Sequence, residues 1–187
     1  MEYEAIVGLS RQQIRDIAEW IRKFFRIKTL CFPVMRVLNL IELKFPDQVY
    51  HIVEEDSLFE KDCMAYLSAE EDDCYCIHIR RTVYEGACKG HRSHLSFINH
   101  EIAHFFLVHV CGVKPKYNAT GKPIVYARKV VPCYRSTEWQ AMALSGELMI
   151  PYDKCKDMTF DQIVAKTKST DSQTKYFLEK VVPNVKE

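Results

Sequence analysis

The run His100-Glu101-Ile102-Ala103-His104 places two imidazoles four residues apart, with a carboxylate between them. On an α-helix four residues turn the chain by about 400° and raise it by ~6 Å, so both rings project from one stripe and can reach one metal ion. Glu101 stands about 100° round from His100, which removes it as a ligand but lets it take a proton from a water beside the metal. The chemistry suggested is metal-assisted hydrolysis. Leu95, Phe97, Ile98, Ile102, Ala103, Phe105, Phe106, Leu107 and Val108 cover most of the helix circumference. Such a helix is buried, and burying two imidazoles and a carboxylate without partners costs several kcal/mol.

A catalytic zinc ion takes three protein ligands and keeps one open position. His109 lies about 900°, and so about 180°, from His100, which puts it on the far side of the helix as a structural histidine. Glu138 and Glu147 share the next helical stretch, nine residues and about 180° apart, so one of them faces the metal. Glu138 is the choice, because it opens that stretch and leads Ala141, Leu144, Leu148 and Met149 toward the core. Cys111 and Cys133 are competitors, although a thiolate suits a closed structural site as much as a catalytic one. Tyr134, His109 and Arg135 are the candidates for a donor to an oxyanion.

These residues need elements to position them. Ser10 is placed to cap an amphipathic helix running to Phe25, with Ile14, Ile17, Ala18, Ile21 and Phe25 at spacings of three and four. A shorter helix is expected over Val34 to Leu43, closed by Pro46. Strand-like runs follow at Val49 to Val53, Cys63 to Ser68 and Cys74 to Ile79, with Glu70 to Asp73 as a solvated turn, so a β-meander is expected. A loop holding Gly86 and Gly90 leads into the buried helix, His94 to Val110. Gly112 to Pro132 reads as a long irregular connection. Helices are expected over Ser136 to Met149 and, in two pieces joined near Ser169-Thr170, over Thr159 to Val182.

The 187 residues, 48% hydrophobic and 27% charged, fit one globular domain with its own core. A net charge of +1 excludes both a global basic field for nucleic acid and an acidic mimic of it. The charge is segregated, however. Glu42 to Arg80 holds 11 acidic and 3 basic residues, and Arg80 to Arg135 holds 10 basic and 2 acidic, a pattern that marks solvated faces and offers a docking surface. The first fifteen residues carry Glu2, Glu4, Arg11 and Arg15 without an apolar stretch, so a cytoplasmic protein with eight reduced thiols is expected. Cys74 and Cys76, on one face of a strand, read as a packing pair. No run approaches the ~18 apolar residues of a membrane span.

Several segments in order carry a resemblance. Tyr84-Glu85-Gly86-Ala87 and Gly90 precede Arg92-Ser93-His94-Leu95-Ser96-Phe97-Ile98-Asn99, then His100 to His109, then Glu138-Trp139-Gln140-Ala141 and Gly146-Glu147-Leu148-Met149-Ile150-Pro151. In this the chain resembles the ImmA/IrrE (DUF955) family of regulatory zinc metallopeptidases, across most of its length. Met142-Ala143-Leu144-Ser145 departs from the N-x-F-A type common there, and Ala103 stands for a more frequent Gly. The resemblance implies His100, His104 and Glu138 as zinc ligands and Glu101 as general base. It implies an α+β fold of zincin-like type, with a small antiparallel or mixed sheet packed on the H-E-x-x-H helix and a glutamate-bearing helix. Residues 1–151 then form the metallopeptidase domain and 152–187 a helical tail packed on it.

The function so implied is a zinc-dependent endopeptidase that cleaves a protein partner, a helix-turn-helix transcriptional repressor, to control gene expression. The alternative is a non-catalytic zinc-containing module that modulates a partner by binding. Glu101 argues against it, since a purely structural site has no need of that carboxylate. The tail is reminiscent of a helix-turn-helix pair with several lysines, but it lacks an identifiable recognition face, so direct DNA binding is not expected.

Overall fold

The computed structural model describes residues 2–118, 125–126 and 131–183. The chain is α+β. Its elements in order are β1 (Glu2–Tyr3), α1 (Arg11–Phe24), α2 (Val34–Lys44), β2 (Val49–Glu54), β3 (Ala65–Ala69), β4 (Tyr75–Arg80), α3 (Arg81–Cys88) and α4 (Arg92–Phe105). Then come β5 (Val125–Tyr126), α5 (Thr137–Met149), α6 (Tyr152–Cys155), α7 (Phe160–Thr167) and α8 (Asp171–Tyr176). Of the connection expected from Gly112 to Pro132, residues 119–124 and 127–130 lie outside the described residues. Within it β5 pairs antiparallel with β1.

Helix α1 forms where its caps and its apolar stripe agree. The Ser10 hydroxyl accepts from the Gln13 amide at 3.2 Å and the Gln13 side chain accepts from the Ser10 amide at 2.9 Å, a reciprocal cap worth about 1 kcal/mol. Ile14, Ala18 and Ile21 are then buried against α5. Helix α4 runs through the middle of the core, with Ile98, Ile102, Phe105 and Phe106 at zero exposure. Each such side chain contributes about 1.5–3 kcal/mol through the apolar area it removes from water. After Phe105 the helix widens into a π-helical turn, Phe106–Val110.

The three-stranded sheet is mixed, in the order β2-β4-β3, and is not the expected meander. β3 and β4 form the antiparallel hairpin over the acidic turn, but β2 lies parallel to β4 on its other side. The cause is apolar content. Tyr75, Cys76, Ile77 and Ile79 make β4 the most buried strand, so it takes the centre, and the more polar β2 and β3 take the edges.

The expected loop around Gly86 is also corrected, because residues 81–88 are helical. Gly86 sits where α3 meets α4, and a Cβ there would fall 1.7 Å from the His94 ring. The glycine serves helix contact, not chain flexibility.

Two features aim the sheet and helices at one place. Arg80 donates to the Met64 carbonyl at 3.2 Å and Glu70 to the Cys74 carbonyl at 2.8 Å, so the even-numbered residues of β3 bond to β4. The backbone groups of Ala65, Leu67 and Ala69 therefore point out from the free edge. On the helical side, the Asn99 amide donates to the Ser145 carbonyl at 3.0 Å and to its hydroxyl at 2.8 Å, tying α4 to α5 in the buried core.

The tail forms the two pieces expected, α7 and α8, and the chain continues past α8 as a π-helical turn at Phe177–Val181. Ile163, Phe177 and Val181 belong to the same buried cluster as the core of α1 and α4. Among the described residues no helix is long and apolar enough to cross a membrane.

Candidate metal centre

His100 and His104 project from one stripe of α4, as their spacing requires, and α5 brings Glu138 to meet them. Ser136 caps α5 by accepting from the Trp139 amide at 3.1 Å, which sets the first turn in which Glu138 stands. The His100 and His104 Nε2 atoms are 3.1 Å apart. Glu138 Oε2 lies 3.3 Å from the first, and the other carboxylate oxygen, Oε1, lies 3.4 Å from the second. Hydrogen bonding to His100 and then to His104 holds the Glu138 carboxyl well below its usual range, so it is ionised.

One donor atom from each of the three side chains lies within 4.8 Å of the others, close enough to share one metal ion. Ligands at 2.0–2.1 Å from a tetrahedral metal are separated from one another by ~3.3 Å, the edge of the tetrahedron. The 3.1 Å between the two imidazole nitrogens is within a few tenths of an ångström of that edge, and each nitrogen has one Glu138 oxygen at a similar distance. Two neutral imidazoles and one carboxylate are also a donor set that suits zinc, and three protein ligands leave a fourth position free. The residues therefore fit a divalent metal of zinc type. Among the described residues this is the cluster of His, Cys, Asp and Glu able to hold one, and no cysteine belongs to it.

Glu101 is buried beside the triangle, on the neighbouring face of α4, with 8% of its surface exposed. Burial pushes its carboxyl up to about 7; nearby His100 opposes this, Glu138 adds to it, and the Leu67 amide of β3 donates a hydrogen bond to it. That amide is one of the outward-pointing groups of the sheet edge, so strand and helix meet at this carboxylate.

The raised value fixes a linkage. In chelator-treated protein the folded state retains the Glu101 proton between pH ~4.5 and ~7 while the unfolded chain has lost it. Unfolding free energy is therefore expected to fall across that window, by up to ~3 kcal/mol, and to level off above it. Urea denaturation at stepped pH measures this, and Glu101→Gln is expected to flatten the decline.

The other sequence candidates go elsewhere. Glu147 is not part of the triangle: it forms a buried ion pair with Arg15 at 3.2 Å, and its carboxylate also accepts from the Tyr152 amide at 3.1 Å. His109 bonds the Gln48 side chain at 2.9 Å and stacks on Phe105. Arg135 pairs with Glu4 at 3.2 Å, and half of Tyr134 is exposed. Tyr134, His109 and Arg135 all lie outside the lining of the cleft that holds the triangle, so the proposed oxyanion donors are not brought to it. Of the two cysteines expected to pack together on one strand, both free thiols, Cys76 is buried in β4 and Cys74 precedes the strand.

Sequence reasoning missed the Leu67 amide, because a backbone donor leaves no trace in residue type. It also missed Asn99, although an amide inside an otherwise apolar helix face is itself a signal of a buried polar tie.

The triangle opens into a cleft of about 1010 Å³, with β3, α4, α5 and α8 among its walls. That is at the upper end of what small-molecule sites occupy and suits a length of polypeptide. No family model, no curated protein and no solved structure matches this chain.

Proposed function

We propose that the chain is a zinc-dependent endopeptidase of zincin-like fold and ImmA/IrrE type that cleaves a protein partner. The observation that carries this reading is the His100, His104, Glu138 triangle with the buried Glu101 carboxylate beside it. A structural site has use for the triangle but none for a fourth, proton-active group held in a pocket next to it.

When bound, zinc supplies a Lewis acid that acidifies water and polarises a carbonyl. The chain's own groups do the rest. His100 and His104 would hold the ion from one helix and Glu138 from another, and the Asn99 tie to Ser145 keeps those two helices in register. Glu101 takes the proton of the attacking water and passes it to the leaving amide nitrogen. Its place beside the metal-facing stripe of α4, held by the Leu67 amide, suits one group for both transfers. The Leu67 amide fixes the Glu101 rotamer, which keeps the proton-accepting oxygen aimed at the cleft. The outward backbone groups of Ala65 and Ala69, with the Leu67 carbonyl, offer hydrogen bonds to an extended substrate segment along the free edge of β3.

The resemblance suggests a helix-turn-helix repressor as partner and control of gene expression as the outcome. The test is to incubate zinc-loaded protein and its Glu101→Gln variant with such a repressor and with a proteome-derived peptide pool. New N-termini are then mapped by mass spectrometry. Cleavage by the wild type alone is expected. Equal inactivation of the partner by both proteins, without new termini, assigns the chain to the binding module instead.

A further inference from the structure

The α8 segment has a role that helix packing alone does not explain. Gln173 is held twice: its side-chain oxygen accepts from the Thr170 amide at 3.0 Å, which leaves its Nε2 to donate to Ser96 on α4 at 2.8 Å. Arg92 of α4 and Asp171 of α8 face each other at 3.7 Å. These contacts seat α8 on the turn of α4 that precedes His100. Ser172, Gln173 and Tyr176 thereby become part of the cleft wall.

On the helical side of the cleft, three large apolar side chains are left open to solvent. Phe97 is 39% exposed, Met142 51% and Tyr176 53%. Phe97 stands one turn before His100 on the metal-facing stripe of α4, and Met142 one turn after Glu138 on α5. Tyr176 faces the same cleft from α8. Exposed apolar surface gathered from three helices next to a hydrolytic centre lacks the side chain that would cover it.

We infer that α8 is the specificity wall of the cleft, and that Phe97, Met142 and Tyr176 form a subsite for a large apolar side chain of the substrate polypeptide close to the scissile bond. The inference rests on the peptidase reading for what happens to the bound chain. Its occupant follows from continuity: the subsite opens onto the metal triangle at one side and the free edge of β3 borders the same cleft.

The test is direct binding to the zinc-loaded protein by titration calorimetry, with three probes. Acetohydroxamate reports the metal centre alone, and N-acetyl-leucine hydroxamate and N-acetyl-glycine hydroxamate differ by one side chain. The leucine probe is expected to bind about tenfold or more tightly than the glycine probe, the gain for burying one branched aliphatic group. Tyr176→Ala and Phe97→Ala are expected to reduce that ratio to about threefold or less, with zinc content and acetohydroxamate affinity unchanged. Equal affinity of the two amino-acid probes, or a ratio that survives both substitutions, overturns the subsite while leaving the metal centre standing. Absence of acetohydroxamate binding removes the metal centre and the subsite with it. Hydrolysis is read separately, through Glu101→Gln, so loss of the peptidase reading is told apart from loss of the subsite.

Discussion

Glu101→Gln is expected to keep its zinc and lose its hydrolytic activity by about 10²–10⁴-fold in kcat, the usual contribution of a positioned general base. Glutamine has the volume of glutamate, and its carbonyl oxygen continues to accept from the Leu67 amide, so the helix and strand stay where they are. What it cannot do is take a proton. Zinc content and thermal unfolding in the holo form should therefore match the wild type, while the rate at saturating substrate falls. A loss confined to KM assigns Glu101 to substrate binding instead, and an unchanged rate removes it from the chemistry.

The second large effect separates two glutamates on one helix. Glu138→Ala is expected to weaken zinc binding by at least ~10²-fold with little change in folding, since removing a ligand costs more than the 10–100-fold typical of an outer-shell partner. Glu138 is half-exposed, and the Ser136 cap of α5 is untouched. Glu147→Ala is expected to do the reverse. It strands Arg15, whose side chain is 9% exposed, without its carboxylate, and frees the Tyr152 amide, a loss of about 3–5 kcal/mol with the zinc site intact. Competitive titration against a fluorescent zinc chelator and urea unfolding of both variants measure the pair. Zinc loss in Glu147→Ala, or retention in Glu138→Ala, exchanges their roles.

Much of this site was legible because helices are regular. Four residues on a helix bring His100 beside His104 whatever surrounds them, and nine residues on α5 put Glu138 and Glu147 on opposite sides, so periodicity alone orders the candidates. The Ser10 cap and the break at Ser169-Thr170 were legible for the same reason, being local. Pairings between distant segments were not.

Nothing in Val49 to Val53 says that it lies parallel to β4 and not beside β3. That choice follows from which strand is the most apolar and takes the centre. Gly86 read as a loop residue because glycine is the usual mark of a turn, whereas here it admits the His94 ring. The seat of α8 depends on the Gln173 to Ser96 bond across 77 positions, which no local pattern encodes.

The central claim is that one zinc ion sits among His100, His104 and Glu138, and a chain with eight cysteines offers a clear alternative. Zinc K-edge X-ray absorption on protein carrying one equivalent of metal decides between them. The expected spectrum has nitrogen and oxygen scatterers alone at ~2.0–2.1 Å, with the multiple-scattering signature of two imidazoles. A sulfur shell at ~2.3 Å, or one imidazole or none, would place the metal on thiolates elsewhere and contradict the site.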